Sequence, residues 1–214
     1  MKITEFFISK GKVNASKSKA LKLIEKVCPN LNTNPHVRSS MFINNIFEKI
    51  EKKFNPSNAL RGSVFEHLMM CVFFRNEISP FYYQVNLNFV YNVTFDFVLF
   101  DTNKRPIILS LKTSGKDAYK QVELEGLVAK QVHKNCRTIY VNYDDDAVRF
   151  LERKKNLSEI HYIDEIWNKL KFCMRGGKGM PSDYAKSKDK NILEKWTKFS
   201  SGKYRGALSV RYNV

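Results

Sequence analysis

The chain has 214 residues, a formal net charge of +16, a hydrophobic fraction of 43 % and an aromatic fraction of 13 %. So large an apolar and aromatic content excludes a disordered chain, and 9 glycines with 6 prolines are too few for a collagen-like or low-complexity protein. No apolar run approaches the roughly 18 residues of a membrane span, and the first residues lack the apolar region of a secretory signal. One compact domain with a sizeable core is expected.

The cysteines point to a reducing compartment. Cys28, Cys71, Cys136 and Cys173 form no CxxC pair, and each lies in or beside an apolar stretch. This spacing favours reduced, structural thiols in a cytoplasmic protein over a disulfide framework or a zinc site.

The charge is concentrated at the two ends of the chain. Residues 1–60 carry a balance of +7, residues 61–170 of +1 and residues 171–214 of +8. Basic arms around a near-neutral centre favour a polyanion partner such as nucleic acid, because cationic side chains that contact phosphates release counterions. A Lys-rich surface that only keeps the protein in solution is the alternative, and no amphipathic end segment suggests a membrane partner.

The N-terminal part of the chain predicts helices. Helical spacing of apolar residues indicates one helix over 16–27 and a second over 37–53. The triplet Asn55-Pro56-Ser57 is typical of a helix start, and the helix it opens is expected to run to about Asn76. Its centre is apolar nearly all round, as in a buried helix, and it contains Glu66 and His67.

The remaining elements alternate between strand and helix patterns. Strands are predicted at Tyr82–Val90, Val93–Asp101, Pro106–Lys112 and Arg137–Tyr143, with a short one at Ile160–Tyr162 and one in the tail at Ala207–Tyr212. Helices are predicted at Asp117–Lys134, Ala147–Lys155 (capped by Asp144–Asp146), Asp164–Phe172 and, in the tail, Ile192–Phe199. A meander of three strands followed by a helical crossover predicts an α/β fold with a mixed central sheet flanked by helices.

Two neighbouring strands place chemically active side chains on one face of the sheet. Because strand side chains alternate between faces, Asp96 can share a face with Ser110 and Lys112. A carboxylate inside the apolar segment VTFDFVLF is costly unless it is paired or binds a cation. A buried Asp96–Lys112 ion pair is the structural alternative.

The flanking helices add further carboxylates. At 100° per residue, Gln121 and Glu125 fall within the apolar face of the helix at 117–134, whereas Glu123 falls on the opposite side and is expected to face water. With Glu66 and Asp96, Glu125 completes three inward carboxylates, a plausible Mg²⁺ site beside Lys112. Glu66 could instead be satisfied by His67 or Arg61, and Glu125 by Lys112.

The segment Thr94-Phe-Asp96 … Ile108-Leu-Ser110-Leu-Lys112-Thr113-Ser114 resembles the core motif of the PD-(D/E)xK nucleases. The order of elements fits the αβββαβ core of that superfamily over about residues 57–143. The acid normally found two residues before the lysine is replaced by Ser110. This departure resembles a branch of type II restriction endonucleases in which the glutamate has moved to the following helix, where Glu125 stands.

The resemblance implies an Mg²⁺-dependent endonuclease that cuts double-stranded DNA at specific sequences, works as a homodimer and has a cognate DNA methyltransferase in its host. It implies catalytic roles for Asp96, Lys112, Glu125, Glu66 and Ser110, metal ligation by Asp96, Glu125 and Glu66, and a water-positioning role for Gln121. The chain would then comprise an N-terminal helical, basic segment (1–56), a nuclease core (57–172) and a basic C-terminal segment (173–214). Candidate DNA contacts are Lys116, Lys178, Lys203, Arg205 and Arg211.

Two other functions stay open at this point. The chain could be a structure-specific or non-specific nuclease of the same superfamily, which the pattern of DNA fragments would distinguish. It could also be a basic nucleic-acid-binding protein without catalysis, whose binding would survive removal of metal.

Overall fold

A computed structural model describes residues 2–9, 15–31, 39–75, 78, 81–87, 90, 93–101 and 105–168. These residues belong to two compact units, one made of the residues up to Ile78 together with Asn168, and the other of Ser79–Trp167. The helix that we predicted to open the nuclease core at residue 57 is therefore grouped with the N-terminal helices. Among the described helices, none combines the length and the apolar character needed to cross a membrane.

The first unit is helical. Its helices are α1 (Ile3–Ser9), α2 (Lys19–Val27), α3 (Ser39–Phe54) and α4 (Asn58–Arg75), with a 3₁₀ turn at Ala15–Lys17. Helices α2 and α3 pack against α4, and α1 packs against α2. The sequence pattern did not predict α1, because seven residues are too few for a helical period to be recognised.

Helix α4 is the buried helix of this unit, as its apolar centre predicts. Ser57 begins it by accepting a hydrogen bond on its hydroxyl from the amide of Leu60 at 3.4 Å. His67 is buried and donates from Nδ1 to the carbonyl of Ser63 at 2.7 Å, which is a structural role. Glu66 lies half-buried on the same helix, while Arg61 pairs with Glu51 at 2.6 Å.

The second unit contains the sheet. Its elements are β1 (Tyr82–Val85), β2 (Phe95–Phe100), β3 (Pro106–Lys112), α5 (Ala118–Val132), β4 (Arg137–Asn142), α6 (Asp145–Asn156) and β5 (Glu165–Asn168). The strand order is β1-β2-β3-β4-β5, in which β2 pairs antiparallel with both β1 and β3, and β3 pairs parallel with β4. The predicted mixed α/β sheet flanked by helices is thus confirmed.

Two apolar clusters hold this unit together. One joins the first three strands to α5 through residues such as Val98, Ile108 and Ala129. The other joins α5, β4 and α6 through Val122, Tyr140 and Leu151 together with apolar residues of the segment that follows α6. Helix α5 belongs to both clusters, so it is held on the sheet at Ala129 and at Val122.

The segment after α6 corrects two predictions. Residues 165–168 form β5 where a helix over Asp164–Phe172 was predicted, and Ile160–Tyr162 forms a bend instead of a short strand. The backbone of Asp164 donates to the Thr138 carbonyl at 2.9 Å, and its carboxylate accepts from the Thr138 amide at 2.7 Å. Pairing at the open edge of β4, which also buries Ile166 and Trp167, overrides the helical spacing.

Candidate active site

Strands β2 and β3 bring the predicted acid, hydroxyl and lysine to one face of the sheet. Val98 lies opposite Ile108 in the antiparallel register, so the alternation of side chains puts Asp96 on the face that carries Ser110 and Lys112. Asp96 also contacts β3 directly, because its Oδ2 accepts a hydrogen bond from the amide of Leu111 at 2.7 Å. That bond fixes one carboxylate oxygen of Asp96 against the strand that carries Lys112.

Helix α5 adds Glu125 to the same face. Glu125 is 8 % exposed and Ser110 is 1 % exposed, and the Ser110 hydroxyl donates to Glu125 Oε2 at 3.0 Å. The carboxylate on the helix therefore reaches the position next to Ser110 on the strand. Helical phase alone predicts this inward direction, because Glu125 shares a face with buried Val122 and Ala129.

Gln121 connects Glu125 to Lys112. Its Nε2 donates to Glu125 Oε1 at 2.7 Å, and its Oε1 accepts from Lys112 Nζ at 3.4 Å. An amide has one donor end and one acceptor end, and an ammonium can only donate, so these partners determine its orientation. Gln121 is exposed, not buried in the apolar face as predicted, because it lies close to the N-terminal end of α5. Its contacts are those of a bridge between two charged side chains.

Burial dominates the electrostatics of the two carboxylates. Removal from water raises the pKa of Asp96, against the lowering effects of the Leu111 amide, the Lys112 charge and the Gln84 amide. Removal from water likewise raises the pKa of Glu125, which the Asp96 charge raises further while Ser110, Lys112 and Gln121 lower it. Each carboxylate responds to Lys112, so the three groups lie within electrostatic reach of one another.

Neither carboxylate forms a direct ion pair with Lys112 in the part of the chain that the structure describes. The Lys112 ammonium donates to the neutral amide of Gln121. The alternatives in which Asp96 or Glu125 is simply neutralised by Lys112 therefore do not describe this site. Among the described residues, the groups that hydrogen-bond to the two acids are backbone and side-chain amides and a hydroxyl.

Glu123 does not face water, contrary to the prediction. Its Oε1 accepts hydrogen bonds from the backbone amides of His161 and Tyr162, the latter at 2.8 Å. The segment after α6 covers this side of α5, and a Cβ at Gly126 would lie 2.6 Å from the Tyr162 carbonyl oxygen. Helical phase could not reveal this cover, because it comes from a distant part of the chain. Glu123 thus serves to hold that segment.

Three polar residues beside the site were missed by the sequence analysis. Gln84 on β1 donates from Nε2 to Asp96 Oδ1 at 3.4 Å. On β4, Tyr140 and Asn142 lie opposite Ser110 and Lys112, and the Asn142 amide donates to the Tyr140 hydroxyl at 2.6 Å. The sequence could have indicated Tyr140 and Asn142, because the helical crossover makes β4 the parallel neighbour of β3. It could not have indicated Gln84, because the position of Gln84 opposite Asp96 depends on the register between β1 and β2.

The other predicted site residues lie on elements that do not carry Asp96, Ser110 or Glu125, or fall outside the described residues. Glu66 lies on α4 in the first unit. Lys116 is exposed in the connection between β3 and α5, with Nζ 5.7 Å from the centre of the Phe150 ring. Lys178, Lys203, Arg205 and Arg211 lie outside the described residues, as do Cys173 and both predicted elements of the tail. Cys28, Cys71 and Cys136 are buried, and none of the three forms a disulfide within the described part of the chain.

The donor set around Asp96 and Glu125 suits a hard divalent cation. It consists of carboxylate oxygens and the Ser110 hydroxyl, and Mg²⁺ prefers oxygen ligands and is often held by only one or two carboxylates. The Asp96 charge raises the pKa of Glu125, and a cation between the two acids would remove that mutual repulsion. Among the described residues, no group of three or more His, Cys, Asp or Glu side chains is arranged to hold a metal ion. Within the second unit, the protein ligands for such a cation would therefore be the carboxylates of Asp96 and Glu125.

Comparison with protein-family models, with curated proteins and with solved structures finds no match to this chain. The chemistry of the site therefore has to be argued from its own geometry.

Proposed function

We propose that this protein is an Mg²⁺-dependent endonuclease that hydrolyses phosphodiester bonds of double-stranded DNA. The observation that carries the proposal is the convergence of Asp96, the Ser110–Glu125 pair and Lys112 on one face of the sheet. Two desolvated acids beside an ammonium suit the joint binding of a cation and an anionic phosphate. The resemblance to the PD-(D/E)xK nucleases rests on the same residues and supports the same chemistry.

Asp96 and Glu125 would hold the Mg²⁺. When bound, the ion supplies Lewis-acid polarisation of the phosphate and lowers the pKa of a bound water. In the reaction, the oxygen of a water molecule attacks phosphorus, the bond to the 3′ oxygen breaks, and that oxygen takes up a proton. The products are a 3′-hydroxyl and a 5′-phosphate.

The other side chains of the site position and neutralise. Lys112 stabilises the negative charge that develops on the phosphate, or orients the attacking water, because its ammonium lies within reach of both acids. Ser110 fixes one oxygen of Glu125. Gln121 holds Lys112 and Glu125 at a set separation, so we reassign it from positioning water to positioning these two groups.

The finer proposal is a type II restriction enzyme. A homodimer with two-fold symmetry would match a palindromic DNA site, and each protomer would cut one strand. The net charge of +16 supports binding to the DNA backbone. Such an enzyme requires a methyltransferase in the same cytoplasm to protect host DNA.

The test is a digest of plasmid and phage DNA by the purified protein, with Mg²⁺ and with chelator, beside Asp96→Ala. Discrete Mg²⁺-dependent bands that are absent for Asp96→Ala are the expected result. A Mg²⁺-dependent smear would support nuclease activity but contradict cleavage at specific sequences. Full cleavage by a folded Asp96→Ala protein would contradict the proposed site.

A non-catalytic nucleic-acid-binding protein is the second candidate. The observation that favours it is that all four carboxylate oxygens of Asp96 and Glu125 already accept hydrogen bonds within the protein. DNA that stays intact but shifts on a gel, with equal affinity in Mg²⁺ and in chelator, would support this function.

A further inference from the structure

Gln84 has a backbone conformation that its place in a strand does not explain. Three non-glycine residues among those described have a positive φ: Asn55 at 41°, Gln84 at 53° and Ser158 at 57°. Asn55 and Ser158 follow the ends of α3 and α6, where a left-handed residue is an ordinary way to end a helix. Gln84 lies inside β1, where the chain is otherwise extended.

The pairing of β1 with β2 continues on both sides of Gln84. Tyr83 lies opposite Phe97 and Val85 lies opposite Phe95, so Gln84 is bracketed at the position opposite Asp96. A local left-handed residue within a paired strand re-aims one side chain, as a β-bulge does. Such strained residues cluster at functional sites because the surrounding structure must enforce them.

The re-aimed side chain of Gln84 reaches Asp96. Its Nε2 lies 3.4 Å from Asp96 Oδ1, at the long end of the hydrogen-bonding range, while Asp96 Oδ2 is held by the Leu111 amide at 2.7 Å. The two oxygens therefore differ, with Oδ2 tightly anchored to β3 and Oδ1 held loosely from β1. An amide of this kind can orient Oδ1 and still leave a lone pair for a cation.

We infer that Gln84 is a positioning residue that orients Asp96 for binding a divalent cation. The inference rests on the proposed function, because it concerns the same carboxylate. Partners that hydrogen-bond to a ligating carboxylate fix its direction, and their loss typically weakens metal binding by about 10- to 100-fold. A residue that served only the packing of β1 would have no such effect.

The test measures binding of Mn²⁺ alone to the full-length protein by electron paramagnetic resonance, without DNA. Gln84→Met keeps the length of the side chain and the backbone conformation but removes the donor. Gln84→Gly removes the donor and also accepts the positive φ without strain. We expect both variants to bind Mn²⁺ about tenfold more weakly than the wild type, and Gln84→Gly to unfold at a temperature no lower than the wild type.

Asn86 supplies the matched control. Asn86 follows β1 and accepts a hydrogen bond from the hydroxyl of Thr94, which precedes β2, at 2.7 Å, and it is exposed. Asn86→Ala should bind Mn²⁺ as the wild type does. In cleavage assays at saturating DNA, Gln84→Met should lower kcat about tenfold and leave KM for DNA unchanged.

The outcomes separate this inference from the proposed function. Wild-type Mn²⁺ affinity in Gln84→Met, or a loss confined to Gln84→Gly, overturns the inference and leaves the nuclease untouched. Mn²⁺ binding that weakens as expected in a protein that cleaves no DNA supports the inference and contradicts the nuclease. A wild type that binds no Mn²⁺ overturns the inference.

Discussion

Asp96, half-buried within β2, and Asp101, fully buried just after it, differ in the partners that they receive. Asp101 is 1 % exposed, and Arg105 contacts it twice, through its amide at 2.8 Å and through Nε at 2.6 Å. Asp96 accepts from the Leu111 backbone amide and, at 3.4 Å, from Gln84, the two donors to it within the described ranges, and burial raises its pKa. A buried charge that is fully paired serves the fold, whereas one left without a contacting cation is suited to bind one.

The same contrast recurs on α5 between Glu123 and Glu125. Glu123 accepts two backbone amides of the segment after α6, which ties that segment down. Glu125 accepts from Ser110 and Gln121, two side chains that face the Asp96–Lys112 region. Two residues apart on one helix, one acid supports the fold and the other supports the site.

Neutralising each aspartate in turn should separate these roles most strongly. Asp96→Asn should reduce cleavage by about 10³-fold, because a cation ligand is lost, while the protein remains folded. Asp101→Asn should lower the free energy of unfolding by about 2 kcal/mol and leave kcat unchanged, because a charged hydrogen bond to Arg105 is weakened far from the reacting phosphate. Steady-state cleavage and urea unfolding of both variants measure the contrast, and a loss of activity in folded Asp101→Asn would break it.

Exchanging the residues at positions 110 and 125 moves the carboxylate from α5 to β3. This exchange tests whether the carboxylate can perform the same role from the strand. The two side chains are hydrogen-bonded at 3.0 Å, so a glutamate at 110 with a serine at 125 places the charge in nearly the same volume. We expect Glu125→Ser alone to lose about 100-fold in activity and the double variant Ser110→Glu/Glu125→Ser to regain about tenfold. A folded double variant no more active than Glu125→Ser would show that the helix position itself is required.

The local sequence pattern predicts part of this site and misses the rest. Strand alternation was enough to place Asp96 beside Ser110 and Lys112, and helical phase was enough to turn Glu125 toward them, because both periods are local properties of the backbone. Glu123 was misplaced, since the amides that it binds come from residues 161 and 162.

Other errors have the same long-range origin. Strand β5 replaces a predicted helix because pairing beside β4 decides its conformation, and no local period records that pairing. The role of Gln84 depends on a φ of 53°, which is enforced by its neighbours and not by its own preference.

The raised pKa of Glu125 predicts that the free energy of unfolding depends on pH. With chelator present, the folded protein holds a proton on Glu125 above the ordinary pKa of 4.5, so between that value and its raised pKa the native state binds more protons than the unfolded state. Stability is then greatest below pH 4.5 and falls as pH rises through the raised pKa. Glu125→Gln removes the charge and should have a higher free energy of unfolding than the wild type at pH 7, with almost no difference at pH 4.

Urea unfolding at both pH values in chelator measures this effect, and Mg²⁺ should narrow the difference at pH 7 by stabilising only the wild type. Glu123→Gln is the matched control. It should be less stable than the wild type at pH 7, because its carboxylate already receives two backbone amides. A Glu125→Gln protein less stable than the wild type at pH 7 would place Glu125 with the structural acids.

The smallest expected effect concerns the lysines around the start of α5, where the comparison of paired and unpaired charges can be repeated at the surface. Lys120 is exposed and bonded to Asp117 at 2.8 Å, so its charge is already offset, whereas Lys116 lies over the Phe150 ring with no carboxylate bonded to it among the described residues.

If DNA approaches Lys112 from this side, Lys116→Ala should raise KM for DNA about threefold and reduce the slope of log affinity against log salt by about 1, with kcat unchanged. Lys120→Ala should change neither quantity, because its contribution to a phosphate contact is cancelled by its partner. Equal effects of the two substitutions would mean that only the net charge of this surface matters, and an effect of Lys116→Ala on kcat would draw this lysine into the site itself.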